Sequence, residues 1–492
     1  MDYALLFKRL LPEAILAATA LAVLAADLAL WSRLTVSFRK TLGALGVLVG
    51  CVVAWRVLGR RTEAGFFYNG LWVADPSISF LKQVMIGLAA GTAWLSRESD
   101  FTRHVGEYFA LLLLGTIGML CMVSTENLLL AFVSLELLSL SLYLMTAFAK
   151  DRPSSAEAAL KYFLFGGVSA AAMLFGFSLL FGVTGDLQLA DMAAHLAGKP
   201  VEPVLLLGMV LVAAGLGFKV AAVPFHLWAP DAYEAAPTST AAFVASGSKV
   251  ASFYLLARVV IVGLQSTAGS AAYHAFVPGW VPLLAVLAAA SVVIGNLAAI
   301  TQRSFKRLLA FSAVAHAGYI LLGLVANRGE GAQALVYYVV TYAVTSLGAF
   351  GVVAVVERAT GSDSIEGLAG LSRRAPRLAG CLAVFLLSLA GIPPLAGFFG
   401  KFYLFSSALN AKDHPLGTLW LVGLAIGMSC VALYYYLVVL KQMFVAAPPE
   451  KSHPIRMRWA TWLVLTGCAL LILLWGCFPQ MLLSRFPLVT GR

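Results

Sequence analysis

The chain is short of charge: Lys, Arg, Asp and Glu make up 12% of its 492 residues, where a soluble globular domain carries about 25%. With 61% hydrophobic residues, that shortage excludes a water-soluble fold and implies a polytopic α-helical membrane protein. Cysteine is scarce as well. The six cysteines (Cys51, Cys121, Cys381, Cys430, Cys468 and Cys477) are scattered through apolar segments with no C-x-x-C and no metal-ligand spacing. They read as small buried hydrophobes rather than ligands or disulfides. There is no P-loop, no dinucleotide-binding fingerprint and no haem or iron–sulfur ligand set, which argues against an intramembrane redox enzyme. A basic tract is also missing. The net charge of +11 is dispersed over connecting loops, a pattern that membrane topology explains better than nucleic acid does. Finally, no cleavable signal is expected: the first apolar run, about 12–31, is long enough to span and lacks a clear small-residue cleavage site.

What is present is a series of apolar runs of about 20 residues, the length a bilayer core demands. They predict fourteen spans, at about 12–31, 41–58, 76–96, 105–123, 126–148, 158–184, 203–228, 237–264, 276–300, 306–326, 332–357, 378–409, 416–444 and 459–484. An even count puts both termini on one side. The loops on that side hold nine Lys and Arg, including Lys8, Arg9, Arg485 and Arg492, and the opposite loops hold seventeen, including Arg39, Lys40, Arg303, Arg373 and Arg458. The positive-inside rule then turns the termini away from the cytoplasm.

Residues 1–104 read as an N-terminal three-helix segment, 105–264 and 276–445 as two copies of a five-helix unit, and 446–492 as a C-terminal part with span fourteen. Leu129-Leu130-Ala131-Phe132 of span five recurs as Leu308-Leu309-Ala310-Phe311 of span ten. Val183-Thr184-Gly185-Asp186 after span six resembles Ala359-Thr360-Gly361-Ser362 after span eleven. Five spans per copy is odd, so the copies are inverted. The fourth span of each is broken, by Pro224 in GFKVAAVPFHLW and by Pro393 and Pro394 in AGIPPLAGFFGK. Discontinuous helices in inverted repeats are how transporters build ion paths near the midplane.

Charged groups fall inside these spans. Lys219 lies near the middle of span seven, where an ammonium costs roughly 2.5–3.5 kcal/mol on insertion scales and therefore requires a partner. Glu136, deep in LLLAFVSLELLSLSLYL of span five, is the natural one. Lys249 is mid-span in span eight with Ser246, Ser248 and Ser252 near it, and Lys401 follows the second break. Span ten offers Ser312, His316 and Tyr319. Span eleven places Tyr338, Thr341, Tyr342 and Thr345 on one face. Glu136, Lys219, His226, Lys249, His316 and Lys401, separated by hydroxyl-bearing surfaces, suit a proton relay. Burial disfavours a charged amine, a nearby carboxylate favours it, and histidine titrates near neutrality. Against this, hydroxyls in spans also serve as helix–helix hydrogen bonds, and buried histidines as satisfied core residues. Lys161, Lys306 and Arg258 also suit interfacial anchors, and Asp231 and Glu234 a rim that is either a funnel or a cap.

The segments ENLLLAFVSLELLSLSLYLMTAF, AALKYFLFGGVSAA, GFKVAAVPFHLWAPDAYEAAPTSTAAFVASGSK, KRLLAFSAVAHAGYILLGL and AGIPPLAGFFGKFYLF resemble the antiporter-like subunits of respiratory complex I, NADH:quinone oxidoreductase. The likeness runs over about residues 105–445 and is tightest from Gly217 to Lys249. Length, the early LPEAILAATALAVLAADL and the lack of a long lateral helix after span fourteen are most similar to the N-type; some relatives carry a glutamate where Lys401 stands. The resemblance implies a fourteen-helix proton channel in a bacterial inner membrane, with Glu136, Lys219, Lys249 and Lys401 as working residues. It implies other membrane-arm subunits as partners, homologous antiporter-like chains among them, and no cofactor on this chain. NADH, FMN, iron–sulfur clusters and quinone are then used by partner subunits. A cation/proton antiporter or membrane-bound hydrogenase subunit would share most of these residues, and a non-pumping scaffold would need no buried charges.

Overall fold

The computed structural model describes all residues except 1–6, 32, 61–63, 69, 99, 328, 412–415, 449–453, 456 and 487–492. Arg61, Arg328, Lys412, Lys451, Arg456 and Arg492, counted above among the loop charges, lie outside the described residues.

Among the described residues fourteen crossings follow one another, beginning with α1 (Leu11–Ala29), α2 (Val36–Gly59), α3 (Pro76–Leu95), α4 (Val105–Val123), α5 (Leu128–Thr146) and α6 (Pro153–Thr184). Crossing seven is split into α7a (Pro203–Val220) and α7b (Trp228–Ala235), and crossing eight into α8a (Thr238–Ala245) and α8b (Gly247–Arg258). Then come α9 (Trp280–Ile300), α10 (Phe305–Val325), α11 (Gly329–Thr360), α12a (Pro376–Ala390), α12b (Ala396–Leu409), α13 (Leu419–Phe444) and α14 (Trp459–Cys477). Among the described residues 13 helical segments are long and apolar enough to cross a membrane, and the divided α12 makes the fourteenth crossing. The chain is a multi-pass membrane protein. Short antiparallel hairpins, Gly65–Phe67 with Trp72–Ala74 and Ser270–Ala272 with Ala275–Val277, join α2 to α3 and α8b to α9.

Several boundaries differ from the sequence reading, and three of them have a local cause. α6 begins at Pro153, five residues early, because proline is at home in the first helical turn, where its missing N–H is not needed. Span eight is not continuous: the backbone at Ser246 (φ −111°, ψ −88°) parts α8a from α8b, and the end of the crossing widens into a π-turn at Val259–Gly263. Span fourteen ends at Cys477, before Pro479, which disfavours helix in the residue ahead of it.

The two copies are fastened alike. Before α5, Asn127 pairs with Gln188 after α6, through Leu128 N–H to Leu187 O at 2.9 Å and Leu189 N–H to Glu126 O at 2.9 Å. Before α10, Ser304 pairs with Ser364 after α11, through Phe305 N–H to Asp363 O at 2.8 Å and Ile365 N–H to Arg303 O at 2.9 Å. Gly185 and Gly361, at φ 77° and 72°, follow the long helices in both copies. Five crossings separate the two fastenings, so they lie on opposite membrane faces, as inversion requires. The core lies around α10 and α11, whose most apolar stretches are 94% and 100% buried, against 28% for α6 and 33% for α13. The N-terminal helices add a buried ion pair, Lys82 Nζ to Glu13 Oε1 at 2.6 Å, with the ammonium 4.3 Å from the Trp72 ring centroid.

Candidate functional site

Both breaks are made the same way. Pro224 and Pro394 each follow a cis bond, and the helix before each closes on a left-handed residue, Ala221 (φ 59°) or Gly391 (φ 87°). In α7a, Ala221 N–H donates to Phe218 O at 3.0 Å and Ala222 N–H to Gly217 O at 2.8 Å. In α12a, Gly391 N–H donates to Ser388 O and Ile392 N–H to Leu387 O, both at 3.0 Å. These paired bonds finish the helix but leave its last carbonyls, at Lys219–Val220 and Leu389–Ala390, without backbone donors. Each half-helix therefore ends in the middle of the protein with a negative partial charge. Glycine at 391 suits its left-handed φ, and a Cβ there would stand 3.0 Å from Lys401 Cδ.

Three buried ammonium groups gather at these ends. Lys249 Nζ donates to Val220 O at 3.0 Å and to Ala313 O of α10 at 2.9 Å. Lys401 Nζ donates to Leu389 O and Ala390 O, each at 3.1 Å, and to Ser429 Oγ of α13 at 2.8 Å. Among the described residues Lys219 Nζ has a single acceptor, Ser139 Oγ of α5 at 2.7 Å, whose own proton goes to Leu135 O at 2.6 Å. Aromatic faces complete the surroundings: Tyr143 and Tyr162 at 5.6 and 5.9 Å from Lys219, Tyr342 at 5.9 Å from Lys249, and Tyr319 at 4.9 Å from Lys401.

Glu136 is not in direct contact with Lys219. It stands one turn before Ser139 on α5, within electrostatic reach of the lysine, and its Oε1 is buried without a hydrogen-bond partner. Between Lys249 and Lys401, His316 of α10 is held by phenols: Nδ1 at 2.7 Å from Tyr338 OH and Nε2 at 3.2 Å from Tyr436 OH, which is 2.5 Å from Ser312 Oγ. Tyr436, on α13, went unnoticed in the sequence, where it stands in an apolar run with Tyr434 and Tyr435. By contrast, Ser252 Oγ donates to Ser248 O and Thr341 Oγ1 to Tyr337 O and Tyr338 O, within their own helices. His226 lies in the α7 turn, 8% exposed, with Nδ1 buried and unpartnered.

The stretch from 125 to 428, which contains both breaks and all three lysines, matches the model of the family described as NADH:quinone oxidoreductase/Mrp antiporter, TM. The chain belongs to this family. NADH-quinone oxidoreductase subunit N 2 of Acidobacterium capsulatum is 49% identical to it over 98% of this chain and 99% of that one. Subunit N of Nitrosomonas europaea is 37% identical, over 90% and 89%. A chain of respiratory complex I from Thermus thermophilus, solved with bound aureothin, superposes with a TM-score of 0.76 at 33% identity, covering 96% of this chain and 98% of that one. A chain of the Mrp complex from Dietzia sp., at 21% identity, shares the fold, with a TM-score of 0.80 over 96% of each.

On the face away from the termini, this antiporter-family chain carries ion pairs that the sequence only hinted at. Lys161 Nζ reaches Asp231 at 2.9 Å, and Arg307 bridges Asp231 at 2.8 Å and Glu234 at 2.9 Å. Lys306 pairs with Glu357 at 3.2 Å, and Glu357 also accepts from Thr238. Glu98, wholly buried, accepts from Arg358 and from Thr461, tying α3 to α11 and α14. On the other face Arg258 is ion-paired with Glu126. Lys306 and Arg258 are thus paired inside the protein rather than anchored at an interface, and Asp231 and Glu234 are held in ion pairs at their rim.

Proposed function

We propose that the chain, a membrane-arm subunit of the respiratory complex I type like its subunit N relatives, moves protons across a bacterial inner membrane through Glu136, Lys219, Lys249, His316 and Lys401. One observation carries this reading: three ammonium groups are buried at mid-membrane with uncharged oxygens as acceptors, one for Lys219, two for Lys249 and three for Lys401. An ammonium has three donors, and among the described residues protein oxygens engage all three on Lys401, two on Lys249 and one on Lys219. Lys219 has the fewest protein acceptors of the three, and its charged form is supported by the Glu136 carboxylate one turn from Ser139. A lysine whose charge hinges on a movable carboxylate is a switchable proton carrier. Three fixed cations would serve a scaffold poorly, since each costs several kcal/mol on insertion.

His316 and its tyrosines join the second and third stations, and His226, with a free ring nitrogen in the α7 break, takes up protons from the cytoplasmic rim. Both termini lie on the non-cytoplasmic side. The oxygens of the breaks are already engaged by ammonium groups, which favours protons over a sodium ion as the species carried. Electron transfer from NADH through FMN and iron–sulfur clusters to quinone belongs to partner subunits.

The test is NADH-driven proton uptake into vesicles containing the purified complex. Lys219→Ala is expected to abolish most of it with assembly intact. Normal pumping by that variant would return the chain to the scaffold class.

A further inference from the structure

The two inverted copies supply their ammonium groups from different helices. In the first copy the cation on the last carbonyl of the broken helix, Val220 O, comes from Lys249 on α8b. In the second, the matching carbonyl Ala390 O receives Lys401, from the far half of the broken helix itself. The counterpart of α8b in the second copy is α13. There, the residue at the ammonium is Ser429, whose Oγ accepts from Lys401 Nζ at 2.8 Å. Position 429 thus faces the half-helix end of its copy as position 249 faces that of the first, with a hydroxyl in place of the amine. A tyrosine ring lies within reach of the ammonium in both copies, Tyr342 at 5.9 Å and Tyr319 at 4.9 Å.

We infer that what is preserved between the copies is a cation cradle, made by the carbonyls that end the first half-helix, and that a lysine from either the second half-helix or the following helix can fill it. Ser429 is then a positioning residue: it completes the triad of acceptors that fixes Lys401, and it marks the alternative point of attachment. The electrostatic basis is the half-helix end, whose unpaired carbonyls favour a cation whatever chain segment carries it. The first copy needs a separate Lys219 because its cradle is filled from α8b. The second copy merges the two demands in one residue.

This inference rests on the reading of Lys401 as a proton station, and the experiment separates the two. Pumping is measured in vesicles with the assembled complex for the unaltered chain, for Lys401→Ser, and for Lys401→Ser combined with Ser429→Lys. The single variant is expected to lose about tenfold or more, the scale of a lost hydrogen-bonded charge, and the exchanged pair to recover to within about threefold of the unaltered chain. Unchanged pumping in Lys401→Ser overturns the station reading. Loss in the single variant without recovery in the pair overturns the shared cradle and leaves the station standing. If the pair does not assemble, Lys401→Gln with Ser429→Lys keeps the volume at 401 and is read in the same way. Failure of both pairs to assemble, when the single variants do, shows that the cradle cannot take a lysine from α13 and also overturns the inference.

Discussion

Glu136 acts on Lys219 through space, because Ser139 holds the ammonium and the carboxylate stands one turn away. Cβ atoms three apart on a helix are about 5–6 Å apart, and with the ammonium held on Ser139 this spacing sets the scale of the charge separation at on the order of 6 Å. At an effective dielectric near 20 that separation gives about 2–3 kcal/mol, a factor of about 30 to 150 in the support the carboxylate lends to the ammonium. Glu136→Gln keeps the shape and removes this support. It is expected to slow NADH-driven acidification of vesicles by about tenfold or more while the complex assembles. Because the carboxylate works by way of the lysine, Glu136→Gln combined with Lys219→Gln should pump no worse, within about twofold, than Lys219→Gln alone. Initial rates of dye quenching, normalised to NADH oxidation, give all four corners of the cycle. Two independent, multiplying losses would refute the coupling, as would near-normal pumping in Glu136→Gln.

Arg358→Ala leaves the wholly buried Glu98 without its cation and should cost about 3–5 kcal/mol of stability, whereas Glu98→Gln leaves a partly exposed Arg358 that can turn to water; thermal unfolding that ranks the two the other way would count against a buried latch. His316→Phe takes the partner from Tyr338 and Tyr436 and should depress pumping, while Ser252→Ala and Thr341→Val, whose hydroxyls bond their own helices, should leave it within about twofold; equal losses in all three would move the path. A cysteine placed after Leu483 should be labelled only from the non-cytoplasmic side.

Apolar length alone located the crossings, and a proline beside a mid-span lysine was enough to find both breaks, since neither residue is tolerated there without a structural reason. The repeated Thr-Gly ends marked the two copies, but the matching fastenings at Asn127–Gln188 and Ser304–Ser364 are backbone pairings that no side-chain pattern announces. The break at Ser246 was hidden, because no proline marks it and a single glycine in FVASGSK is tolerated within a helix. Glu98 and Glu357 were hidden for another cause. At span ends a carboxylate looks solvated, and the Arg358 that meets Glu98 lies 260 residues away. Naming Glu136 and Lys219 as partners was possible from depth; that a serine would stand between them depends on rotamers and helix rotation, which one-dimensional spacing does not contain. The same limit explains Ser252 and Thr341, whose hydroxyls turn to carbonyls of their own helices.

α11 meets protein on every side along its apolar length, whereas α6 and α13 turn most of theirs outward. Acyl chains of any length or saturation can therefore press on the outer helices without touching Tyr338 or Tyr342, the α11 phenols beside His316. Gly348 shows how tightly this helix is enclosed, for a Cβ there would run into the Phe385 ring. Membrane thickness, fluidity and headgroup charge reach the His316 surroundings only through the tilt of those outer helices. A change of lipid should thus alter how the subunit sits among its neighbours well before it alters the chemistry at its centre.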